Sequence, residues 1–259
     1  MKITTLYSGS GGNAVYIEAG DAVILIDAGK SARKLCSALC EIGSSIDRID
    51  AIFITHEHND HISSLETLTK KHKIPIHMAE GCAEKFSCER FCTLKECLVS
   101  HSPVFEVDIK GTTVSSFPTP HDSKMSVGYR IEFCDVEKKH SIGIATDIGY
   151  VTDAVCKGLC GCEAVILESN HDLEMLESGP YPYDLKKRIL SKRGHLSNKD
   201  SALFAAHLVQ KGTRSFLLAH LSEENNTPQT ALDEFLSTVA DPSISVAVAD
   251  PELPTEMMI

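Results

Sequence analysis

Several features that would assign this 259-residue chain to a common class are missing from it. It has no run of about 18 apolar residues, the length a membrane-spanning helix requires. Met1-Lys2-Ile3-Thr4-Thr5 opens directly in strand-like sequence, without the apolar region of a signal peptide, so the expected compartment is the cytosol. Repeats, low-complexity stretches and Pro/Ser-rich linkers are missing too, and one domain is expected over residues 1–259. None of the 10 cysteines forms a C-x-x-C pair, which argues against a zinc ribbon. Scattered as they are, they read as reduced thiols used as small hydrophobes. The spacings Cys36/Cys40 and Cys156/Cys160 suit helix faces, and Cys156, Cys160 and Cys162 could bind an adventitious metal, although nothing in the sequence requires it. Positive charge is also scarce. The 25 Lys and Arg face 36 Asp and Glu, a net charge of −11 that argues against broad nonspecific nucleic-acid binding. Ser8-Gly9-Ser10-Gly11-Gly12-Asn13 lacks the Lys-Ser/Thr of a phosphate loop and runs into a strand-like segment, so a tight turn is expected there.

The chain does contain a cluster of potential metal ligands. Thr55-His56-Glu57-His58-Asn59-Asp60-His61 follows the apolar run Ala51-Ile52-Phe53-Ile54, which reads as a buried strand. His56 and His58 can point the same way from an extended segment, while Asp60 and His61 can reach a second point a few ångströms on. Three histidines and an aspartate at this spacing are hard to explain as a solvated turn. Imidazole and carboxylate suit zinc, manganese or iron, so the donors alone do not select the metal.

A content of 42% hydrophobic residues supports a sizeable core. Strands are expected around 2–7, 13–19, 22–27 and 51–55, then at 75–78. Period-two alternation predicts a meander at 103–108, 112–118, 127–134 and 140–146, and later strands at 163–168 and 214–219. Helices are expected near 31–42, 62–72, 151–158, 183–191, 198–210 and 227–238. Strand-rich stretches mixed with outer helices fit two packed sheets.

The segment Thr55–His61 resembles the signature of the metallo-β-lactamase superfamily, and further elements follow in the family's order. Asp27 closes an earlier strand, His121 stands alone downstream, and Asp147 and His220 each end a later strand. The resemblance implies an α/β fold, a four-layered αββα sandwich of two mixed sheets with outer helices. It also implies two divalent metal ions (zinc or manganese, or iron). His56, His58 and His121 are expected to hold one, Asp60, His61 and His220 the other, with Asp147 bridging and Asp27 orienting the histidines from behind. Paired metals of this kind stabilise both the attacking and leaving oxygens of a hydrolysis, with a bridging water as nucleophile. A secreted antibiotic-degrading member is disfavoured by the missing signal peptide.

Lys192-Arg193-Gly194-His195-Leu196-Ser197-Asn198 resembles an element of ribonuclease-Z-like phosphodiesterases, in which the histidine acts at the scissile phosphate. Carried over, His195 is the expected acid, Glu168 its orienting carboxylate, and Asp60 part of the catalytic centre. Ser197 or Asn198 is expected to cap the helix over 198–210, an electropositive setting for a phosphate. His171 is a further candidate for substrate contact, and Asn13 for touching substrate or positioning a loop. His72, His77, His101, His140 and His207 read as structural or solvated. The basic run Lys186-Lys187-Arg188, with Lys192-Arg193, reads first as a solvated helix face and second as a contact to a phosphate backbone. With Ser8-Gly9-Ser10-Gly11-Gly12-Asn13, Leu167-Glu168-Ser169-Asn170-His171-Asp172, Gly194-His195-Leu196-Ser197-Asn198 and Leu218-Ala219-His220-Leu221-Ser222-Glu223-Glu224-Asn225-Asn226, the chain resembles the YycJ (WalJ) group over nearly its full length, for which DNA exonuclease activity is implied. The expectation is therefore a metal-dependent nuclease acting on DNA ends, of the 5′–3′ exonuclease type, with no membrane partner. A hydrolase of thioesters, lactones or cyclic phosphodiesters is the alternative. Asp147 and His220 are 73 positions apart, too close for the inserted clamp domain of larger nucleases in this superfamily.

Overall fold

Short apolar runs such as Ala22–Ile26 and Ala164–Glu168 are buried along their whole length. This is the pattern of strands covered on both faces. The computed structural model describes residues 1–136 and 138–257. Its strands are β1 (Lys2–Tyr7), β2 (Ala14–Ala19), β3 (Ala22–Ile26), β4 (Ala51–Phe53), β5 (Ile76–Ala79), β6 (Leu98–His101), β7 (Glu106–Ile109), β8 (Thr112–Pro118), β9 (Val127–Cys134), β10 (Lys139–Ala145), β11 (Ala164–Glu168), β12 (Ser215–Ala219), β13 (Ser245–Val248) and β14 (Thr255–Met257). They form two seven-stranded sheets, in the orders β14-β1-β2-β3-β4-β5-β6 and β13-β12-β11-β10-β9-β8-β7. Each sheet is mixed. β1 to β3 and β7 to β10 pair antiparallel, whereas β3 to β6 and β10 to β13 pair parallel.

Alternation along β3 shows how the layers are held. Ile24 and Ile26 enter the core between the sheets with Phe53, Tyr129, Ile144 and Leu217. Val23 and Leu25 face the opposite way, into a second core under the helix Ala32–Glu41 with Leu35 and Leu39. A third core lies outside the other sheet, where Val165, Leu167 and Phe216 meet Phe204 and Leu208 of the helix Asn198–Gln210 and Phe235 of the helix Pro228–Val239. Three cores between four layers make the αββα sandwich, and each fully buried Leu, Ile or Phe in it contributes about 1.5–3 kcal/mol. Among the described residues no helix is long and apolar enough to cross a membrane.

The segment 62–72 departs from the single helix expected there. It forms two short helices, Asn59–Ile62 and Leu65–Thr69. Ser64 causes the break, because both its N–H (3.0 Å) and its hydroxyl (2.9 Å) donate to Ala28 O just beyond β3. The expected strand over 103–108 begins later, at Glu106. Strands β6, β13 and β14 and the helix Leu173–Ser178 were not foreseen from the sequence. β6 is a half-exposed edge strand of only four residues, β13 is an edge strand whose run over 244–249 does alternate apolar residues, and the helix is a short one capped by Asp172, whose Oδ1 accepts from Met175 N at 2.9 Å.

Candidate metal centre

The C-terminal ends of β3, β4, β10, β11 and β12 converge on one edge of the sandwich, where ligands bind in open α/β sheets. Three residues just beyond these strands have left-handed backbone, Asp27 (φ 61°), Asp147 (φ 57°) and His220 (φ 58°). This conformation is unfavourable for non-glycine residues and collects at functional sites. The β4 loop supplies His56 and His58, and the short helix that follows carries Asp60 and His61. His121 lies three residues beyond β8.

Backbone hydrogen bonds stitch three segments together beneath the cluster. Asn13 N donates to Asp60 O (2.7 Å), Ala28 N to His61 O (2.8 Å) and Gly29 N to Asn13 O (2.9 Å). The approach is close enough that a Cβ on Gly29 would lie 1.5 Å from Asp60 O. Asn13 extends this support with its side chain, whose Oδ1 accepts from Gly9 N (2.9 Å) and whose Nδ2 lies 3.0 Å from His61 Nε2.

Partners on one ring nitrogen leave the other facing the cluster. Asp27 Oδ2 accepts from His61 Nδ1 (2.8 Å), and its carboxylate also takes the Thr55 N–H and hydroxyl. The Thr55 hydroxyl in turn lies 3.0 Å from His56 Nδ1. Gly194 O accepts from His121 Nδ1 at 3.2 Å, and Glu168 Oε1 from His220 Nδ1 at 2.9 Å. Four Nε2 atoms are thereby directed inward, the arrangement in which histidine ligands are usually oriented by a carboxylate or carbonyl behind them.

The inward-facing donors fall into two trios, His56/His58/His121 and Asp60/His61/His220, the donor atoms within each lying no more than 4.8 Å apart. Asp147 sits between them. Its Oδ2 is 3.5 Å from His61 Nε2, and its Oδ1 is 3.5 Å from His220 Nε2 and 3.8 Å from His121 Nε2. Asp147 Oδ2 and His220 Nε2 are buried with no hydrogen-bond partner among the described residues. Buried polar atoms rarely stay unpaired, and coordination of a cation would satisfy both. Burial and the neighbouring imidazoles push His56 well below its ordinary value, which keeps a lone pair free for a metal. Burial opposes charge on His61, yet Asp27 and Asp147 raise it well above its ordinary value. Burial likewise opposes the charge of Asp60, which His61 and His220 nevertheless hold low. Nitrogen donors enclosed by ionised carboxylates fit divalent cations.

Beside the trios lies a histidine–carboxylate pair. Glu168, fully buried at the end of β11, accepts from His195 Nδ1 (2.8 Å), His220 Nδ1 (2.9 Å), Ile148 N (2.9 Å) and Leu196 N (3.0 Å). Burial disfavours charge on His195, but Glu168 overcomes this and pushes it up to about 9. In the metal-free centre this favours the protonated imidazole at neutral pH, with Nε2 left to donate. Ser197 caps the helix Asn198–Gln210, its side chain accepting from Asp200 N. His195 thus stands just before a helix N-terminus.

A cleft of about 280 Å³ opens over the centre, lined by His58, Asp60, Asp147, His195 and His220 together with Tyr181 and Arg188. His171, expected as a substrate contact, and Asn13, expected to touch substrate or position a loop, are buried and do not line it. Asn13 is committed to the loop stitching, and His171 is held through its backbone, where its carbonyl accepts from Asn198 N at 2.8 Å. The basic run is more than a solvated face. Arg188 pairs with Asp122, and Arg193 donates to His121 O (3.1 Å) and Ser123 O (3.2 Å), fastening the loop that carries His121. The sequence reading passed over Thr55, Asp122 and Tyr181. For Asp122 and Thr55 the available signal was adjacency to a ligand, whereas Tyr181 had none.

Two mixed sheets with a histidine–aspartate cluster at their strand ends define a metallo-β-lactamase-fold protein. The beta-lactamase superfamily domain matches residues 23–221, and the chain belongs to that family. Within it the chain is a YycJ/WalJ-like member. It is 34% identical to the exodeoxyribonuclease WalJ of Streptococcus pneumoniae over 252 residues, covering 96% of this chain and 91% of that protein. It is 31% identical to the exodeoxyribonuclease YycJ of Bacillus anthracis over 272 residues, covering 99% and 98% respectively. Among solved structures, the metallo-beta-lactamase fold protein YhfI from Bacillus subtilis superposes with a TM-score of 0.73 at 19% identity, covering 98% of each chain.

Proposed function

We propose that the protein is a phosphodiesterase dependent on two divalent metal ions, zinc or manganese or iron, that degrades DNA from its ends as a 5′–3′ exonuclease. The observation that carries this reading is the hydrogen-bonded Glu168–His195 pair beside two donor trios, in a chain whose full-length relatives are named exodeoxyribonucleases. His56, His58 and His121 would hold one metal, Asp60, His61 and His220 the second, with Asp147 shared. When bound, the metals supply an activated water and offset negative charge on the phosphoryl group.

The remaining work falls to the chain's own residues. Glu168 holds His195 Nδ1, so Nε2–H is free to donate to a phosphoryl oxygen and then to pass its proton to the leaving oxygen. The same carboxylate fixes the ring of His220, so ligand and acid are set by one group. Arg188 and Tyr181 line the cleft wall and would contact the substrate. The small cleft and the acidic balance favour engagement of a strand end over a long footprint on duplex.

Cleavage of end-labelled duplex DNA, single-stranded DNA and RNA by manganese- or zinc-loaded protein tests the proposal. Metal-dependent release of mononucleotides from a 5′ end is expected, and Asp60→Ala should abolish it. Intact DNA in the presence of both metals demonstrably bound would refute the nuclease reading and point to a small ester substrate.

A further inference from the structure

Two thiols and an imidazole meet in the helical layer outside the second sheet, away from the cleft. Cys156 lies on the helix Asp153–Leu159, Cys160 caps its end, and His207 comes from the helix Asn198–Gln210. The sulfurs are 3.7 Å apart, and His207 Nε2 is 3.7 Å from Cys156 Sγ and 3.8 Å from Cys160 Sγ. All three residues are half-buried. Cys162, the third member of the sequence cluster, is buried instead with its sulfur on Gly158 O.

We infer that Cys156, Cys160 and His207 form a separate mononuclear site for a thiophilic divalent cation such as zinc, with one coordination position open to solvent. Helical spacing brings the two cysteines together, but it does not account for the histidine. His207 is 47 positions beyond Cys160 and stands equally far from both sulfurs. One ion bound by all three side chains would give such near-equal separations. The sizes agree as well. Tetrahedral zinc with bonds of about 2.3 Å to sulfur and about 2.05 Å to nitrogen separates two thiolates by about 3.8 Å and thiolate from imidazole by about 3.6 Å. The triangle matches one face of that tetrahedron. Among the described residues neither thiol has another hydrogen-bond partner, so no competing role occupies them. Soft thiolates select zinc or cadmium over magnesium and manganese, in contrast to the oxygen- and nitrogen-rich centre at the strand ends. A bound ion would tie the helix Asp153–Leu159 to the helix Asn198–Gln210, whose N-terminus begins three residues beyond His195.

Metal analysis and absorption spectroscopy of the full chain, purified under reducing conditions and equilibrated with zinc or cobalt, test this site. Wild-type protein is expected to carry one metal equivalent more than Cys156→Ser or His207→Gln. Its cobalt form should show a thiolate-to-cobalt charge-transfer band that both variants lose. In unmutated protein, zinc should slow alkylation of Cys156 and Cys160 at least ~10-fold, since the bound thiolate is withdrawn from reaction. The exposed Cys40 and Cys88 serve as internal controls. Equal metal content in wild type and variants overturns the site, as does alkylation of Cys156 and Cys160 that zinc leaves unchanged. The alkylation result decides the matter even where a variant fails to fold.

Discussion

Glu168→Gln probes the arrangement at its most connected atom pair. The buried carboxylate accepts four hydrogen bonds, two from histidine rings and two from backbone amides. Glutamine keeps one acceptor oxygen and turns an N–H₂ group toward donors on the other side. In metal-free protein the largest pH-dependent consequence falls on His195, which Glu168 pushes up to about 9 against an ordinary value of about 6.5. Because the folded value is raised, the pair's contribution to stability is complete below about pH 6.5 and is lost as pH rises through about 9. A gap of roughly 2.5 units at about 1.36 kcal/mol each corresponds to about 3 kcal/mol. Urea unfolding of metal-stripped wild type and variant, from about pH 6 to about pH 10, reads this directly. The variant should be the less stable throughout, with a deficit about 3 kcal/mol larger at the acidic end than at the alkaline end. A deficit that does not change with pH would refute the assignment of His195 and Glu168 as a charged pair. The loss of the support behind His220 should also weaken metal binding about 10–100-fold, measured by chelator competition.

Other substitutions address the remaining parts of the site. His195→Ala should lower DNA turnover by about 10²–10⁴ while metal content stays at the wild-type level, and unchanged turnover would remove His195 from the chemistry. Gly29→Ala forces a Cβ against Asp60 O, so it should lower both thermal stability and metal content; retention of both would show that the loop tolerates the extra atom. Asn13→Ala should weaken metal binding with little change in KM at saturating metal. A raised KM with normal metal affinity would favour substrate contact over loop positioning, the two roles the sequence left open for Asn13.

Much of this protein was legible in the linear chain because its ligands lie at the ends of apolar runs. A β-branched segment buried on both faces must stop where polar residues begin, so Ala51–Phe53 followed by His56, His58, Asp60 and His61 marks both a strand end and a donor cluster. The strands carrying Asp27, Asp147 and His220 follow the same rule. Edge strands β6 and β14 escaped it, because short half-exposed strands carry too little apolar pattern to separate them from loops, whereas the run over 244–249 around β13 did carry the alternation. Local sequence also did not show that Glu168 serves His220 as well as His195, since that contact joins β11 to residues 27 and 52 positions away. His207 was equally silent, because its cysteine partners sit on another helix. The sequence by itself thus determined the donor types, the strand ends that carry them and the family. The tertiary structure alone decided which donors face one another, which nitrogen of each ring turns inward and which carboxylate stands behind it. Those choices depend on sheet pairing and helix packing between distant segments, which hydrophobic periodicity cannot encode.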